Sequence, residues 1–325
     1  MRILMTEAAA SAYGDQLVAV APKAELVRMR GDGTLVDSSG EIAWEDAALE
    51  VAWPTFDLFL DGAPLRPFFA CMVRAEGLQW LHSSSAGVDA PIFATFVERG
   101  VRLTTTHVTD IPIAEYVIRA VLDHYQQPQR WAAAQAERAW RRHDFREVNG
   151  TTWLVIGVGS IGAAVASRAR ALGARVIGVR RSPTGDEPVH RMVPPASLPD
   201  VVPDADVIVL AAPATTETRH LVDDALLART KPGSLLVNIA RGALVDEAAL
   251  VAAIDRGDGI EAAVLDVMET EPLPDDSPLW AHERITITPH GAAGGLGRFD
   301  RGAHAFAENL RRYAAGEPLL HEVRF

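Results

Sequence analysis

The sequence predicts an α/β protein with two parallel-sheet domains, and two observations carry this prediction. Short apolar runs of strand length alternate with longer segments of helical periodicity along the 325 residues. In the second half of the chain these runs are almost wholly apolar, as expected for parallel strands that helices cover on both faces. The length suits two domains, since single domains commonly hold about 100 to 200 residues.

The first series of strand-like runs belongs to the smaller predicted domain. Its members are RILM (2–5), EVAW (50–53), LQWLHSS (78–84) and VRLTTT (101–106). From residue 111 the apolar positions change to a helical spacing, at 113, 114, 117, 118, 121 and 122. This helix is expected to carry the chain into the second domain.

The second series is clearer and implies six parallel strands. Its runs are TWLVIG (152–157), RVIGV (175–179), DVIVLAA (206–212), SLLVNIA (234–240), AAVLDV (262–267) and ITITP (285–289). The last helical segment, residues 299–316, is expected to cross back to the first domain. The predicted division is therefore 1–110 with 294–325 for one domain and 111–293 for the other.

Composition disfavours several classes of protein. The formal net charge is −12, which repels nucleic acid. We expect no membrane partner, because no apolar run approaches the roughly 20 residues of a membrane span, and the first residues lack the features of a signal peptide. Cys71 is the only cysteine, which suits a reducing compartment, and we expect it to be a small buried side chain. These observations predict a cytoplasmic protein.

A glycine-rich loop, Gly157-Val158-Gly159-Ser160-Ile161-Gly162, directly follows a strand and opens an apolar helix. Gly157 permits a tight turn, Gly159 leaves room for a pyrophosphate, and Gly162 allows the helix and strand to pack closely. Backbone amides at the helix start, including those of Ser160 and Ile161, would meet the phosphate charge. The loop predicts a Rossmann-type dinucleotide site; the alternative is a glycine-rich turn that binds no ligand.

The next strand ends in Arg180-Arg181-Ser182, where an enzyme that uses NAD usually has an acidic residue for the ribose hydroxyls. Guanidinium groups pair with a 2′-phosphate, and a serine hydroxyl adds a donor. NADP(H) is therefore favoured over NAD(H). The alternative is that both arginines are solvated and that NAD binds without the carboxylate.

Three polar residues follow strands of the second series: Arg241, Glu271 and His290. Because ligands bind at the carboxyl ends of parallel strands, we expect all three near the nicotinamide. Reduction of a 2-keto acid needs a cation for the carboxylate and a proton donor for the carbonyl oxygen. Arg241 suits the first role and His290 the second, while Glu271 would orient the imidazole and favour its protonated form. Each residue alone also has a purely structural explanation.

No motif supports metal binding or serine hydrolysis. The remaining histidines lack a metal-ligand spacing such as H-x-x-E-H, and no G-x-S-x-G sequence occurs. We therefore predict no metal.

With these motifs, the chain resembles the D-isomer-specific 2-hydroxyacid dehydrogenases. The matching stretches are LQWLHSSSAGVD (78–89), PIAEYVIRAVL (112–122), VIGVGSIG (155–162), VIVLAAPATTETRHLV (207–222), KPGSLLVNIARGALVDEAAL (231–250), LDVMETEPLPDDSPLW (265–280) and ITPHGAAGG (287–295). The first 75 residues match much more weakly. The resemblance implies two Rossmann-like or flavodoxin-like domains with a cofactor and substrate cleft between them.

The resemblance also implies roles for single residues. The catalytic triad of the family falls on Arg241, Glu271 and His290. It further implies that backbone amides of Ser85, Ala86 and Gly87 bind the substrate carboxylate, and that the adenosine of the cofactor passes over Pro213 and Thr218. Asp266 would lie near the amide of the nicotinamide, and a structural role at the strand end is the alternative. Members of the family are usually homodimers joined through their cofactor domains.

The preferred function is an NAD(P)-dependent oxidoreductase that acts on the CH–OH group of 2-hydroxy acids and reduces glyoxylate, hydroxypyruvate or a similar small 2-keto acid. Arg180 in place of the acidic ribose residue favours the branch similar to glyoxylate and hydroxypyruvate reductases. One alternative is a phosphoglycerate dehydrogenase, which Arg180 and the absence of an added C-terminal regulatory domain disfavour. The other is a dinucleotide-sensing, corepressor-like binding protein, which would need the glycine loop and not the triad.

Overall fold

The computed structural model describes residues 1–60, 62–85, 87–88 and 90–323. The chain divides into two compact units. The first contains residues 1–109 and the segment from Leu296 onward, and the second is Asp110–Gly295.

The first unit is built on a seven-stranded sheet with the order β4-β3-β2-β1-β5-β6-β7. The strands are β1 Arg2–Thr6, β2 Glu25–Met29, β3 Leu35–Asp37, β4 Gly40–Ile42, β5 Val51–Ala52, β6 Trp80–His82 and β7 Arg102–Thr104. Five of them pair in parallel, while β3 and β4 add an antiparallel hairpin at one edge. Its helices within the first 109 residues are α1 Glu7–Val20, α2 Leu65–Arg74 and α3 Pro91–Glu98.

The second unit has a wholly parallel seven-stranded sheet with the order β10-β9-β8-β11-β12-β13-β14. The strands are β8 Thr152–Ile156, β9 Arg175–Val179, β10 Arg191–Val193, β11 Val207–Leu210, β12 Ser234–Asn238, β13 Ile260–Leu265 and β14 Ile285–Ile287. The helices are α4 Asp110–Gln126, α5 Pro128–Ala136, α6 Ser160–Ala171, α7 Leu198–Val201, α8 Asp224–Leu227 and α9 Glu247–Arg256. The last helix, α10 Arg298–Ala315, belongs to the first unit.

The predicted fold class is confirmed, but the count of six strands in the second series is wrong. The missed strand, β10, has only three residues, and its Arg191 side is exposed, so it lacks the apolar run that marks the other strands. The sequence pattern also does not reveal the hairpin β3–β4 and strand β2 of the first unit. These segments are short or polar, and their pairing depends on neighbouring strands rather than on local periodicity.

Aromatic packing joins α10 to the sheet of the first unit. The ring of Phe306 stacks on Trp53 at a centroid distance of 4.5 Å and on Trp80 at 5.3 Å. All three side chains are at most 2% exposed. The C-terminal helix is thus part of the same core as the first strands, because stacked aromatic rings bury a large apolar area.

The order of the second sheet places a switch point between β8 and β11. From β8 the chain winds outward to β9 and β10, then returns to β11 on the other side of β8 and winds in the opposite direction. The loops after β8 and β11 therefore diverge and leave a crevice at the carboxyl ends of the strands, where open parallel sheets bind ligands. Within the described part of the chain, no helix is long and apolar enough to cross a membrane.

Candidate active site

The three glycines of the loop after β8 have different surroundings: two are closely packed against backbone atoms, and one faces open space. A Cβ on Gly157, whose φ is +94°, would lie 2.4 Å from the backbone N of Ala212. A Cβ on Gly162 would lie 2.0 Å from the carbonyl oxygen of Gly157. Gly159 differs, because a Cβ added there would have nothing within 4 Å of it. Two glycines therefore permit the turn and the helix contact, and the third keeps open space before α6.

A cavity of about 400 Å³ opens beside this loop. Its lining combines the glycine loop, the end of β9 and the segment after β11, and includes Gly157, Val158, Gly159, Arg180, Arg181, Ser182, Pro213 and Thr218. Thr218 shapes the wall by donating its hydroxyl to the carbonyl of Pro213 at 2.7 Å. Ser160 and Ile161 begin α6 next to the lining residues. An open glycine position, apolar walls and a basic end fit the phosphate and adenosine portions of a dinucleotide.

Arg180 is anchored at the rim of this cavity. Its Nη1 donates to the carbonyl of Val158 at 3.0 Å and to the Glu187 carboxylate at 2.8 Å. Arg181 and Ser182 are exposed. The sequence reasoning missed Glu187, which lies seven residues after Arg180 in a loop without a recognisable motif.

His290 and Glu271 meet as the sequence analysis expected. The Nδ1 atom of His290 lies 2.8 Å from Oε2 of Glu271, and the other carboxylate oxygen accepts the backbone N–H of Met268 at 3.1 Å. The histidine side chain is 50% exposed and the glutamate 35%. A carboxylate on Nδ1 directs Nε2, the second ring nitrogen, away from the pair.

A buried carboxylate holds the backbone around His290. Asp266, 2% exposed, follows β13, and its carboxylate accepts the N–H groups of Gly291 at 2.8 Å and of Ala292 at 3.0 Å. It also accepts the hydroxyl of Thr288 at 2.6 Å, while its own carbonyl accepts the His290 N–H. These contacts agree with the structural alternative for Asp266; its role near a nicotinamide stays a prediction.

Arg241 lies in the loop after β12. Its Nη1 donates to the carbonyl of Ala240 at 2.7 Å, and its own carbonyl accepts from the side chain of Asn238 at 3.0 Å. The next residue, Gly242, packs so tightly that a Cβ would lie 1.8 Å from the carbonyl carbon of Met268. The loop that carries Arg241 is therefore in direct backbone contact with the segment that leads to Glu271.

The predicted substrate loop lies in the first unit, after β6. The Ser85 N–H donates to Oγ of Ser83 at 3.2 Å, and its hydroxyl donates to the carbonyl of Gly87 at 2.9 Å. Ala86 lies outside the described residues. The Ser85 amide thus already has a partner within its own turn, although the distance is long for such a bond.

Other titratable residues have structural surroundings. Cys71 is buried, as expected, and burial raises the pKa of its thiol to about 11. His82 is 1% exposed with Nδ1 2.8 Å from the Thr104 hydroxyl, and burial lowers the pKa of its imidazole to about 3. In the described part of the chain, no three His, Cys, Asp or Glu side chains group as metal ligands would.

The sheet order and the glycine loop define the second unit as a dinucleotide-binding domain. Residues 118–292 match the family model described as D-isomer specific 2-hydroxyacid dehydrogenase, NAD binding domain. The chain belongs to this family.

Two similar proteins carry names that refer to different substrates. D-3-phosphoglycerate dehydrogenase of Mycobacterium tuberculosis is 34% identical over 284 residues, which are 85% of this chain and 53% of that protein. Glyoxylate/hydroxypyruvate reductase A of Serratia proteamaculans is 31% identical over 235 residues, 70% of this chain and 75% of that protein. The chain thus spans about half the length of the phosphoglycerate dehydrogenases that it matches.

A solved structure extends the similarity to both units. The D-isomer specific 2-hydroxyacid dehydrogenase from Xanthobacter autotrophicus Py2, in complex with NADPH and MES, superposes with a TM-score of 0.76 and 31% sequence identity. The match covers 99% of this chain and 97% of that chain. The weakly matching first 75 residues therefore share the fold of the family despite their diverged sequence.

Proposed function

We propose that the protein is an NAD(P)-dependent D-2-hydroxyacid dehydrogenase that reduces a small 2-keto acid such as glyoxylate or hydroxypyruvate. The observation that carries the proposal is the contact of His290 with Glu271, 2.8 Å between Nδ1 and Oε2. Both residues follow strands of the sheet whose glycine loop fits a dinucleotide phosphate. An imidazole with one nitrogen held by a carboxylate is suited to transfer a proton at the other nitrogen.

The chain's own residues account for proton transfer and substrate orientation. A reduced nicotinamide held beside the glycine loop would supply the hydride for the carbonyl carbon. His290 Nε2 donates a proton to the carbonyl oxygen, which yields the 2-hydroxy acid, and takes it back in the oxidation. Glu271 fixes the ring and offsets the charge of its protonated form. Arg241 binds the substrate carboxylate.

The proposed substrate contacts of Ser85, Ala86 and Gly87 rest on the family resemblance. For Asp266, the bonds that it makes to the turn around His290 support a positioning role. Pro213 and Thr218 line the cavity that we assign to the adenosine portion of the cofactor.

We propose NADP(H) as the preferred cofactor. Arg180, Arg181 and Ser182 all line the cavity that contains the glycine loop. Glu217 also lines it and interacts with Arg181, but no acidic residue stands at the end of β9. The complex of the Xanthobacter relative with NADPH supports the same preference. A 2′-phosphate is attracted by this basic end, whereas NAD lacks the group that the arginines recognise.

We further propose a cytoplasmic homodimer. The lone cysteine suits a reducing compartment. An arm at residues 128–146 exposes Trp131, Trp140 and Phe145 to solvent, by 38%, 93% and 47%. Large exposed apolar side chains grouped in one segment favour an interface with a second copy of the chain.

A phosphoglycerate dehydrogenase is the second candidate, because relatives of that name are 34% identical over 85% of the chain. A panel of glyoxylate, hydroxypyruvate, pyruvate and 3-phosphohydroxypyruvate, each with NADPH and with NADH, separates the two. We expect the highest kcat/KM for glyoxylate or hydroxypyruvate with NADPH. A clear preference for the phosphorylated keto acid would favour the second candidate.

The same panel tests the proposal as a whole. Turnover of none of these acids, despite tight NADPH binding in a direct titration, would contradict an enzymatic role and favour a dinucleotide-sensing protein. His290→Gln serves as the control for activity that arises from a contaminating dehydrogenase.

A further inference from the structure

The loop after β9 encloses a single carboxylate. The Glu187 side chain is 6% exposed, although its neighbour Asp186 is exposed to solvent. Its Oε1 accepts the backbone N–H of Thr184 at 2.7 Å and its Oε2 that of Gly185 at 2.9 Å. These amides, that of Thr184 above all, hold the pKa of Glu187 at about 2. Glu187 is therefore charged at neutral pH.

This carboxylate binds one edge of Arg180. Oε1 of Glu187 accepts Nη1 of Arg180 at 2.8 Å, and the same Nη1 donates to the carbonyl of Val158 in the glycine loop at 3.0 Å. Both contacts use one nitrogen of the guanidinium. The other two guanidinium nitrogens, Nη2 and Nε, lie away from this contact. Arg180 lines the cavity beside the glycine loop, whereas Glu187 does not.

The arrangement has two opposite effects on an anion that binds Arg180. The contacts at Nη1 fix the guanidinium, so less side-chain entropy is lost when an anion binds its outer edge. An anion on that outer edge would, however, be separated from the Glu187 carboxylate only by the guanidinium of Arg180, and the two negative charges would repel each other. Unlike-charge attraction from Arg180 and like-charge repulsion from Glu187 therefore act on the same ligand group.

We propose that Glu187 is a specificity-determining residue, which orients Arg180 and weakens its attraction for a 2′-phosphate. This inference rests on the proposed role of Arg180 toward NADP(H). The site then prefers the phosphorylated dinucleotide only moderately and retains measurable affinity for the unphosphorylated one. A carboxylate from the loop after β9, rather than one at the end of β9, thus lowers the preference for the phosphorylated cofactor.

Two adenosine fragments test the proposal without hydride chemistry. Titration calorimetry with 2′,5′-ADP and 5′-AMP gives the ratio of the Kd for 5′-AMP to the Kd for 2′,5′-ADP. We expect Glu187→Gln to raise this ratio by about tenfold, because the repelling charge is removed at short range. Glu187→Ala should raise it in the same direction. Asp186→Asn is the matched control, with the same charge change one residue away, and should change the ratio by less than about twofold.

A double-mutant cycle shows whether Glu187 acts through Arg180. In an Arg180→Gln background, Glu187→Gln should still raise the ratio, but by about threefold or less, because the remaining repulsion acts on a phosphate that Arg180 no longer draws close. A ratio that falls or stays constant in both Glu187 variants, with their melting temperatures retained, would overturn the proposal. If either variant unfolds, the other decides the outcome.

The results separate this inference from the proposed cofactor preference. A wild-type protein that binds 5′-AMP more tightly than 2′,5′-ADP would refute the NADP preference, yet an Arg180-dependent rise in Glu187→Gln would still support the role of Glu187. An Arg180→Gln variant with an unchanged ratio would refute both.

Discussion

At the scale of single residues, the conformation of His290 shows how the site is held. Its φ is +50°, a left-handed conformation that residues other than glycine adopt at an energetic cost. The His290 N–H donates to the carbonyl of Asp266 at 2.8 Å, and the carboxylate of Asp266 accepts the next two amides. A buried carboxylate with several donors stabilises the turn that presents the imidazole to Glu271.

The first prediction concerns His290. His290→Gln should lower kcat for keto-acid reduction by about 10² to 10⁴-fold, the usual contribution of general acid catalysis. The Kd for NADPH should change little, since His290 does not line the cavity beside the glycine loop. Steady-state kinetics and a fluorescence titration measure the two effects. His304→Gln, at an exposed histidine of α10, is the control and should keep full activity. A His290→Gln enzyme with the kcat of the wild type would exclude His290 as the proton donor.

The second prediction concerns His82 and acid stability. Burial, with a smaller contribution from His321, lowers the pKa of folded His82 to about 3, whereas the unfolded chain protonates near the ordinary value of about 6.5. Between these values the unfolded state binds more protons, so the free energy of unfolding falls as the pH falls. The slope approaches about 1.4 kcal/mol per pH unit.

Urea unfolding of the wild type and of His82→Gln at pH 7, 6 and 5 measures this slope. The wild type should lose about 2 kcal/mol relative to the variant between pH 7 and pH 5. Parallel stability curves would show that His82 becomes protonated without unfolding. Such a result would point to a partner for its second ring nitrogen, which none of the described residues supplies.

At the scale of elements, the glycines in the turn from β8 to α6 have different structural roles, although the sequence does not distinguish them. Gly162→Ala should destabilise the second unit by several kcal/mol, because the added Cβ would lie 2.0 Å from a backbone oxygen. Gly159→Ala should leave the melting temperature nearly unchanged, since its φ is −85° and nothing surrounds the added carbon.

The third prediction is therefore a separation of stability from binding. Gly159→Ala should weaken NADPH binding by at least about tenfold, because the methyl group would enter the space assigned to the pyrophosphate. Thermal melts and NADPH titrations of both variants test it. An unchanged Kd in Gly159→Ala would show that the phosphate does not approach this loop.

At the scale of the whole molecule, the arm at 128–146 has exposed aromatic side chains that contacts within a single chain do not explain. Trp140 is 93% exposed, while Trp131 contacts the rings of His143 and Phe145 at centroid distances of 4.3 and 5.9 Å. Trp131, Trp140 and His143 line a cavity of about 710 Å³. A segment with an exposed indole and further exposed aromatic rings favours burial against a second copy.

The fourth prediction is that Trp140→Ser shifts the protein toward the monomer. Buried tryptophans commonly contribute about 2 kcal/mol or more to an interface, so the dimer Kd should rise by about 30-fold or more. Sedimentation equilibrium measures this Kd. Trp280→Ser, at another indole that is 56% exposed, is the control and should not alter it. A wild type that stays monomeric at micromolar concentration would contradict the proposed dimer.

The amino-acid sequence by itself determined the fold class, most strands of the second unit and the glycine loop. It also predicted that His290 and Glu271 would meet. These features follow from local signals: apolar runs that match the strand period, glycines where a turn needs them, and polar residues at strand ends, which parallel sheets bring to one edge. The missed strands β2, β3, β4 and β10 lack such signals because they are short or polar.

Only the tertiary structure decided which partners Glu187 and Asp266 bind. Glu187 binds Arg180, and Asp266 holds the turn around His290, although neither contact has a motif in the sequence. Side-chain pairing depends on which loops the sheet order brings within hydrogen-bond distance, and that distance is a property of the folded chain. Residue types and their local periodicity specify the elements, whereas contacts between distant residues specify the environment of each charge.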